Sequence, residues 1–415
     1  MKKLFKYAGY LILGSLILVT LYVSNLFLMK PYSIDHYLAK ELTLSLLDSP
    51  EFMTYIGIFD PFNAILKHNQ KLSIDSLEDG EKNYQDTLKH LEMLKKYNSN
   101  NLTDVQKITQ KIAIFDTENS IDRFENFRFH SYPFNQIGGN HLNGVEFMTD
   151  THPIRTYREA TDYIKRVRLF DDSMNSDLVW LEEQKKLGIF APKFVFDHVI
   201  RQLKELIAYT DDNNPLMQVF IRKVNELDIS TKKKEALFAE LSEVILSDVK
   251  PGYKSILQYM ENNYDQANKH HGVWSLPNGD SFYASRLRSY TTTDYTAEEI
   301  HYIGLSEVER IGNRMKEIFI LLGYEINKPV GEMMNELNEN PDFLYADTTD
   351  RKQIVIADYN QMVKEAEEDV RPYFERFPIS PVEVRAVPEY SEKTAAGGYY
   401  QAPSLDGSRP GVFYA

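Results

Sequence analysis

The sequence predicts a mainly α protein with a small β-sheet near its C-terminus, preceded by one membrane-spanning helix. Three observations carry this. Capping boxes at Thr103/Gln106 and Thr296/Glu299 each open a run of apolar residues at helical spacing. Val382 to Val387 alternates apolar and polar, the period of a half-buried strand. Ala8 to Met29 carries no charge over 22 residues, enough to cross a bilayer as a helix.

Lys2, Lys3 and Lys6 precede the uncharged run and only Lys30 follows closely. The positive-inside bias then keeps the N-terminus in the cytoplasm and sends the bulk of the chain across the membrane. A cleaved signal peptide is the alternative; its apolar core is shorter, and no small-x-small site follows here. The division expected is a cytoplasmic N-terminus and anchor over residues 1–30 and one helical domain over 31–415, its sheet at about 382–415.

Past the anchor, Ser33 to Asp48 reads as a helix, and Ser49-Pro50-Glu51 opens another with proline in the first turn. Ser76 to Tyr97 follows, with Leu77, Tyr84, Leu88, Leu91 and Leu94 on one side. The helix after Thr103 is expected to turn Val105, Ile108, Ile112 and Phe115 inward. His130 to Pro153 holds Tyr132-Pro133-Phe134-Asn135-Gln136 and Gly138-Gly139-Asn140, and reads as a long irregular segment, a class that tends to be functional. Helices resume at 160–170, 173–186, 195–209 and 230–246, and Val249-Lys250-Pro251-Gly252 is expected to end the last of these. Tyr253 to Ala267 leads to a turn at Pro277-Asn278-Gly279-Asp280 and a short helix at 282–290. From Thr296 a helix runs to about Leu322. Ile300, Ile303, Val308, Ile311, Met315, Ile318 and Leu322 mark its expected buried face. Helices at 331–338 and 350–374 precede strands at 382–387, 395–400 and 411–414, the last expected at a sheet edge.

Acidic groups outnumber basic ones, 61 to 47, for a net charge of −14. Setting aside the four lysines that flank the first apolar run leaves 43 against 61. Such a surface repels phosphate backbones, so a nucleic-acid partner is not expected. With no cysteine, disulfides, thiolate metal sites and a thiol nucleophile are excluded. No two histidines lie four residues apart, and His270-His271 is the one adjacent pair. Neighbours on a helix point about 100° apart, a poor chelate. No Gly-x-Ser-x-Gly elbow or phosphate-binding glycine loop occurs. Glu298, Glu299, Glu307 and Glu309 read as a solvated helix face. No residue is read as catalytic or metal-binding.

Two dense blocks have a distinct wording. The first runs Gly272-Val-Trp-Ser-Leu-Pro-Asn-Gly, then Thr291-Thr292-Thr293, then Glu299-Ile-His-Tyr-Ile-Gly-Leu. The second is Tyr399-Tyr400-x-x-Pro403-x-x-Asp406-Gly-Ser-Arg-Pro-Gly. Together with Pro50 to Phe59, Tyr132 to Gln136, His152-Pro153 and the Gly188 to Lys193 break, this wording resembles the bacterial "domain of unknown function 885" family from about Leu46 to Tyr414. The resemblance implies a helical, zincin-like, cleft-forming scaffold of a zinc metallopeptidase.

The family's His-Glu…Pro-Gly-His-His motif does not occur in this sequence. The expectation is therefore a truncated scaffold that ends before the zinc helix, inactive alone: either a truncated gene product or one half of a split peptidase, whose separately encoded partner carries the motif. Zinc is expected of the complete family domain and no cofactor of this chain. The alternative is a non-catalytic, extracytoplasmic peptide-binding or scaffold protein. The expected location is the bacterial inner membrane, single-pass, with the bulk in the periplasm.

The resemblance further implies that Gly397 to Gln401, with Tyr399 and Tyr400, lines a groove for extended peptide by β-augmentation. Tyr283, Arg286 and Thr291 to Thr293 are candidates for the same cleft, and His301 for a contact near the zinc. Each of these can equally satisfy helix ends and loop carbonyls. Arg409 and Asp406 read first as turn-fixing groups and second as substrate contacts.

Overall fold

The computed structural model describes residues 2–74, 76–387, 392 and 397–415, and gives no side-chain account of residues 2–6, 8, 9, 11 and 12. The chain divides into two units. The first comprises Met1–Tyr55 with Phe59–Pro277, the second Ile56–Ile58 with Asn278–Ala415.

In the first unit, α1 (Lys2–Leu28) leads to α2 (Ile34–Leu47), which Ser33 caps by accepting from the Asp35 amide. Asn25 turns the chain between them: its amide donates to the Lys30 carbonyl and its oxygen accepts from the Tyr32 amide, both at 3.0 Å. All of the expected span except Met29 falls within α1. Among the described residues no helix is long and apolar enough to cross a membrane.

Next come α3 (Pro50–Ile56), α4 (Asn63–Leu66), α5 (Leu77–Lys95) and α6 (Asp104–Phe127). The capping box at Thr103/Gln106 forms, and Ser76 makes another with Asp79. Ile34, Tyr37, Leu94 and Tyr97 form a small core between α2, α5 and the turn after it. The inward face of α6 differs from expectation. Val105, Ile108 and Ile112 are exposed, while Ala113 and Ile114 pack on that core and Gln110 is buried. The Gln110 amide donates to the carbonyls of Leu94 and Tyr97, both at 2.8 Å. These carbonyls lie at and just past the end of α5, where helical donors run out, so a buried glutamine is worth more there than an isoleucine.

The segment 130–153 is more ordered than its composition suggests. It holds α7 (Asn140–Glu146) and a π-turn, Phe147–Thr151. Then follow α8 (Tyr157–Arg168), α9 (Phe170–Lys186), α10 (Lys193–Ala208), α11 (Pro215–Asn225), α12 (Thr231–Val244) and α13 (Lys250–Asn262). Pro251-Gly252 does not end a helix. A second π-turn, Ile245–Val249, carries α12 into α13, and Pro251 sits immediately past it at the second residue of α13. The main core lies where α13 packs on α9 and α10, and α8 on α12, around Tyr163, Val167, Val199, Leu203, Leu241 and Ile256.

The second unit contains α14 (Gly279–Thr291), α15 (Ala297–Leu321), α16 (Val330–Glu339) and α17 (Arg351–Val370). Its sheet has β1 (Val382–Arg385), β2 (Tyr399–Gln401) and β3 (Gly411–Tyr414) in the order β1-β3-β2. β3 pairs parallel with β1 and antiparallel with β2. The last strand is thus central, not an edge; Ala395 and Ala396 of the expected middle strand lie outside the described residues. Asn360 of α17 blocks the outer side of β1: its oxygen accepts from the Val384 amide at 2.9 Å, and its amide donates to the Val384 carbonyl at 3.0 Å.

The Leu405 amide donates to the Ile56 carbonyl at 2.8 Å. Beside it Gly57 has φ +77°, and a Cβ there would stand 2.5 Å from an Asp406 carboxylate oxygen. Gly188 has φ +70° with nothing nearby. Gly57→Ala therefore combines left-handed strain with a collision, and should cost about 1–3 kcal/mol. Gly188→Ala carries the strain alone, about 1 kcal/mol. Paired thermal melts check this; equal losses would mean that the Asp406 contact contributes nothing.

Candidate functional site

The residues singled out from sequence all lie in the second unit, on two sets of elements. Tyr283 and Arg286 are on α14. The Arg286 guanidinium donates to the Tyr290 hydroxyl at 2.7 Å and lies 4.6 Å from that ring. His301, the fifth residue of α15, is exposed, its ring 6.2 Å from that of Tyr302. Tyr399 stacks on Tyr414 at 4.8 Å across the β2–β3 pair. Tyr400 is 52% exposed. Among the described residues, no hydrogen bond or ion pair joins Tyr283, Arg286 or His301 to Tyr400. Thr291 and Thr293 close the end of α14 through a 2.8 Å hydroxyl–hydroxyl bond.

The second signature block builds a turn. Asp406 accepts from the Ser408 amide at 3.0 Å and hydroxyl at 2.8 Å. Ser404 accepts from the Arg409 amide at 2.9 Å, and the Arg409 guanidinium donates to the Ala402 carbonyl at 2.9 Å. The turn-fixing role of Asp406 and Arg409 is thus visible in bonds that close a short loop onto itself.

Sequence reasoning missed the most heavily built polar site, which lies in the first unit. Arg166 of α8 is fully buried. Its Nε donates to the Lys71 carbonyl at 2.7 Å, one terminal nitrogen to His152 Nδ1 at 3.1 Å, and the other to the Thr54 hydroxyl at 3.0 Å and to the His68 carbonyl. One turn earlier, Asp162 is equally buried and accepts from Asn63 at 2.9 Å and Gln70 at 2.8 Å. Asp60 accepts from His68 at 3.4 Å and pairs with Arg155, which also binds Glu159. Burial pushes Asp60 up, but these donors outweigh it and hold the carboxyl below its usual range. Burial lowers Arg166 to about 10, so it stays charged at neutral pH. The signal available in sequence was Thr54 and His152, both inside family phrases, opposite an arginine in a strongly amphipathic helix.

The π-turn before His152 needs its own partners. Lys223 of α11 supplies them, donating to the Thr149 carbonyl at 3.2 Å and the His152 carbonyl at 3.0 Å. Burial pulls this lysine down to about 8. His152 is driven well below its ordinary range by burial first, then by the charges of Arg166 and Lys223. His141, bound to Gln202 at 2.9 Å, is pushed down to about 4 by burial.

Among the described residues, no three histidine, aspartate or glutamate side chains come together to hold a metal ion. The described residues therefore do not fit a zinc site.

The profile of the family described as "Bacterial protein of unknown function (DUF885)" matches residues 50–415. The chain belongs to that family. Among solved structures, a "putative lipoprotein" from Colwellia psychrerythraea is 25% identical with a TM-score of 0.79, covering 90% of this chain and 67% of its own. A second "putative lipoprotein of unknown function", from Shewanella oneidensis, is 14% identical with a TM-score of 0.57 and shares the fold; it covers 92% of this chain, which spans 64% of its length. No curated protein matches the chain. Within this DUF885 chain the Pro50 and His152-Pro153 phrases meet at Arg166. The Tyr132 phrase closes on Asn135, whose side-chain oxygen accepts from the Ile137 and Gly138 amides, both at 2.9 Å.

The buried neutral histidines set a pH dependence. A folded pKa of about 4 for His141 against about 6.5 unfolded means the unfolded chain binds the extra proton between those values. Stability is complete above about pH 6.5 and falls as pH drops toward 4, by about 2 kcal/mol at pH 5 for this residue. His152 contributes with the same sign. Melts across pH 5–8 should show this loss, and His141→Gln should flatten it; an unchanged slope in the variant would remove His141 from the account.

Proposed function

We propose that this DUF885 chain is a membrane-attached, extracytoplasmic scaffold that binds peptide and performs no hydrolysis by itself. On this reading it forms part of a peptidase-like scaffold whose apolar α15 face is covered by a helix lying outside the described residues. The observation that carries the proposal is the face of α15. Gly304, Val308, Ile311, Met315, Ile318 and Leu322 repeat at intervals of four and three, the seam of a helix that packs against another helix. Val308 is 70% exposed and Leu322 66%, and Ile311 and Ile318 are also exposed. Six positions in a heptad register are more than scattered surface residues and mark an interaction face. The occupant proposed is an apolar helix with a complementary heptad face.

Two further observations support the reading. Leu13, Leu16, Leu18, Val19, Leu21 and Val23 of α1 are exposed together, as on a helix whose solvent is lipid. The lipoprotein name of the Colwellia structure agrees with an extracytoplasmic, membrane-attached location. Peptide is proposed to lie along β2, which the described sheet borders on one side with β3.

The absence of cysteine makes the test direct. Val308→Cys and Glu309→Cys are labelled in intact cells with a maleimide that cannot cross the inner membrane, each referenced to its own rate after denaturation. Glu309→Cys should label readily, and Val308→Cys about tenfold more slowly, protected by the docked helix. Equal labelling overturns the docking, and a disulfide-linked dimer of the Val308→Cys variant assigns the face to a second copy instead. Glu309→Cys that labels only after lysis overturns the location. Peptide cleavage by the purified chain supplied with zinc overturns the non-catalytic part.

A further inference from the structure

The first unit contains a second feature, independent of the α15 reading. A partly enclosed cavity of about 240 Å³ lies among the start of α3, the Leu72–Ser73 segment, α7 with its π-turn, and the first turns of α9. At roughly 30 Å³ per water it has room for about eight waters, the volume of one amino acid. Leu72, Phe147, Phe170 and Met174 supply an apolar floor. Gly144 keeps one wall low, since a Cβ there would press within 3.2 Å of the Phe170 ring.

Glu51 is the one ionisable residue in the lining. It is held in place: the Ser73 amide donates to one carboxylate oxygen and the Ser73 hydroxyl to the other, both at 2.6 Å. An ionised carboxylate has about four acceptor positions, so two remain. Ser173 and Asn143 stand on the rim. Phe147 has one face taken by the Arg166 guanidinium, 5.1 Å from its centroid. That guanidinium is spent on backbone carbonyls, Thr54 and His152; it attracts Glu51 through space but makes no hydrogen bond to it, so the carboxylate keeps its two open acceptor positions. The π-turn that presents Phe147 is a backbone form that is frequent at functional sites.

We infer that this cavity is a binding site for a primary ammonium group on an apolar body of amino-acid size, the ammonium on Glu51 and the body over Phe147 and Phe170. An anion would meet the carboxylate, and a polyol would leave its hydroxyls against phenyl rings without partners. The same chemistry is offered by a free amine and by the N-terminus of a peptide, and the probes below separate them.

The full-length chain is titrated by calorimetry with leucinamide, its N-acetyl derivative and the tripeptide Leu-Gly-Gly. Leucinamide should bind saturably at or below about 1 mM, and N-acetylation should weaken it at least about tenfold. Glu51→Gln should weaken leucinamide by about tenfold, and Ser173→Leu, which fills the rim without touching Glu51, should abolish binding while the melt is retained. Leu-Gly-Gly binding as tightly as leucinamide assigns the site to peptide N-termini; a loss for the tripeptide alone assigns it to free amines. No saturable binding, equal binding of the acetylated probe, or binding indifferent to Ser173→Leu would overturn the inference.

Discussion

The first unit depends on one buried cation. Arg166 leaves α8 and gathers acceptors from places far apart in the chain: the carbonyls of His68 and Lys71, the Thr54 hydroxyl and the His152 ring. A guanidinium presents five donors in a fixed fork, so it ties several strands of irregular backbone at once where a lysine would hold one point. The segment from α3 to Lys71 contains two helices too short to stand alone. It gains its position from Arg166 and from Asp162, one turn away on the same helix. Removing one member of such a buried charged network typically costs about 3–5 kcal/mol, because the others are left without partners in a poor solvent for charge.

The same constraint explains where polar side chains sit elsewhere. Irregular backbone inside a helical protein must find donors and acceptors, and here side chains supply them. Lys223 serves the first π-turn, Gln110 the end of α5, and Asn25 the bend after α1. In the second unit Asn360 continues the hydrogen-bonding pattern of β1 with a side chain, and Asp406 and Ser404 close their own turn. Family phrases that read as chemistry are, in this chain, largely the means by which bends and breaks are satisfied.

The two units differ in how much apolar surface they bury. The first has a continuous core from α8 to α13. In the second, the buried apolar side chains among the described residues are few: Phe319, Met333, Val384, Val412 and Tyr414 beside Ile56. The longest helix of that unit keeps its most regular apolar face outward.

Local rules made much of the secondary structure legible. The capping boxes at Thr103 and Thr296, the proline opening of α3, the alternation of β1 and the turn at Asp406 are decided by neighbours within a few residues, so the sequence alone determined them. What it could not determine was which face of an amphipathic helix is covered. Val105, Ile108 and Val308 fit a buried stripe by spacing, yet packing left them outside, and Gln110 went in because Leu94 and Tyr97 had carbonyls to satisfy. The Arg166 site was hidden for the same reason: its partners are up to 112 residues away from it through Thr54, and only the tertiary structure brings them within a hydrogen bond. Spacing fixes the shape of a helix, whereas burial depends on what else the chain brings to that shape.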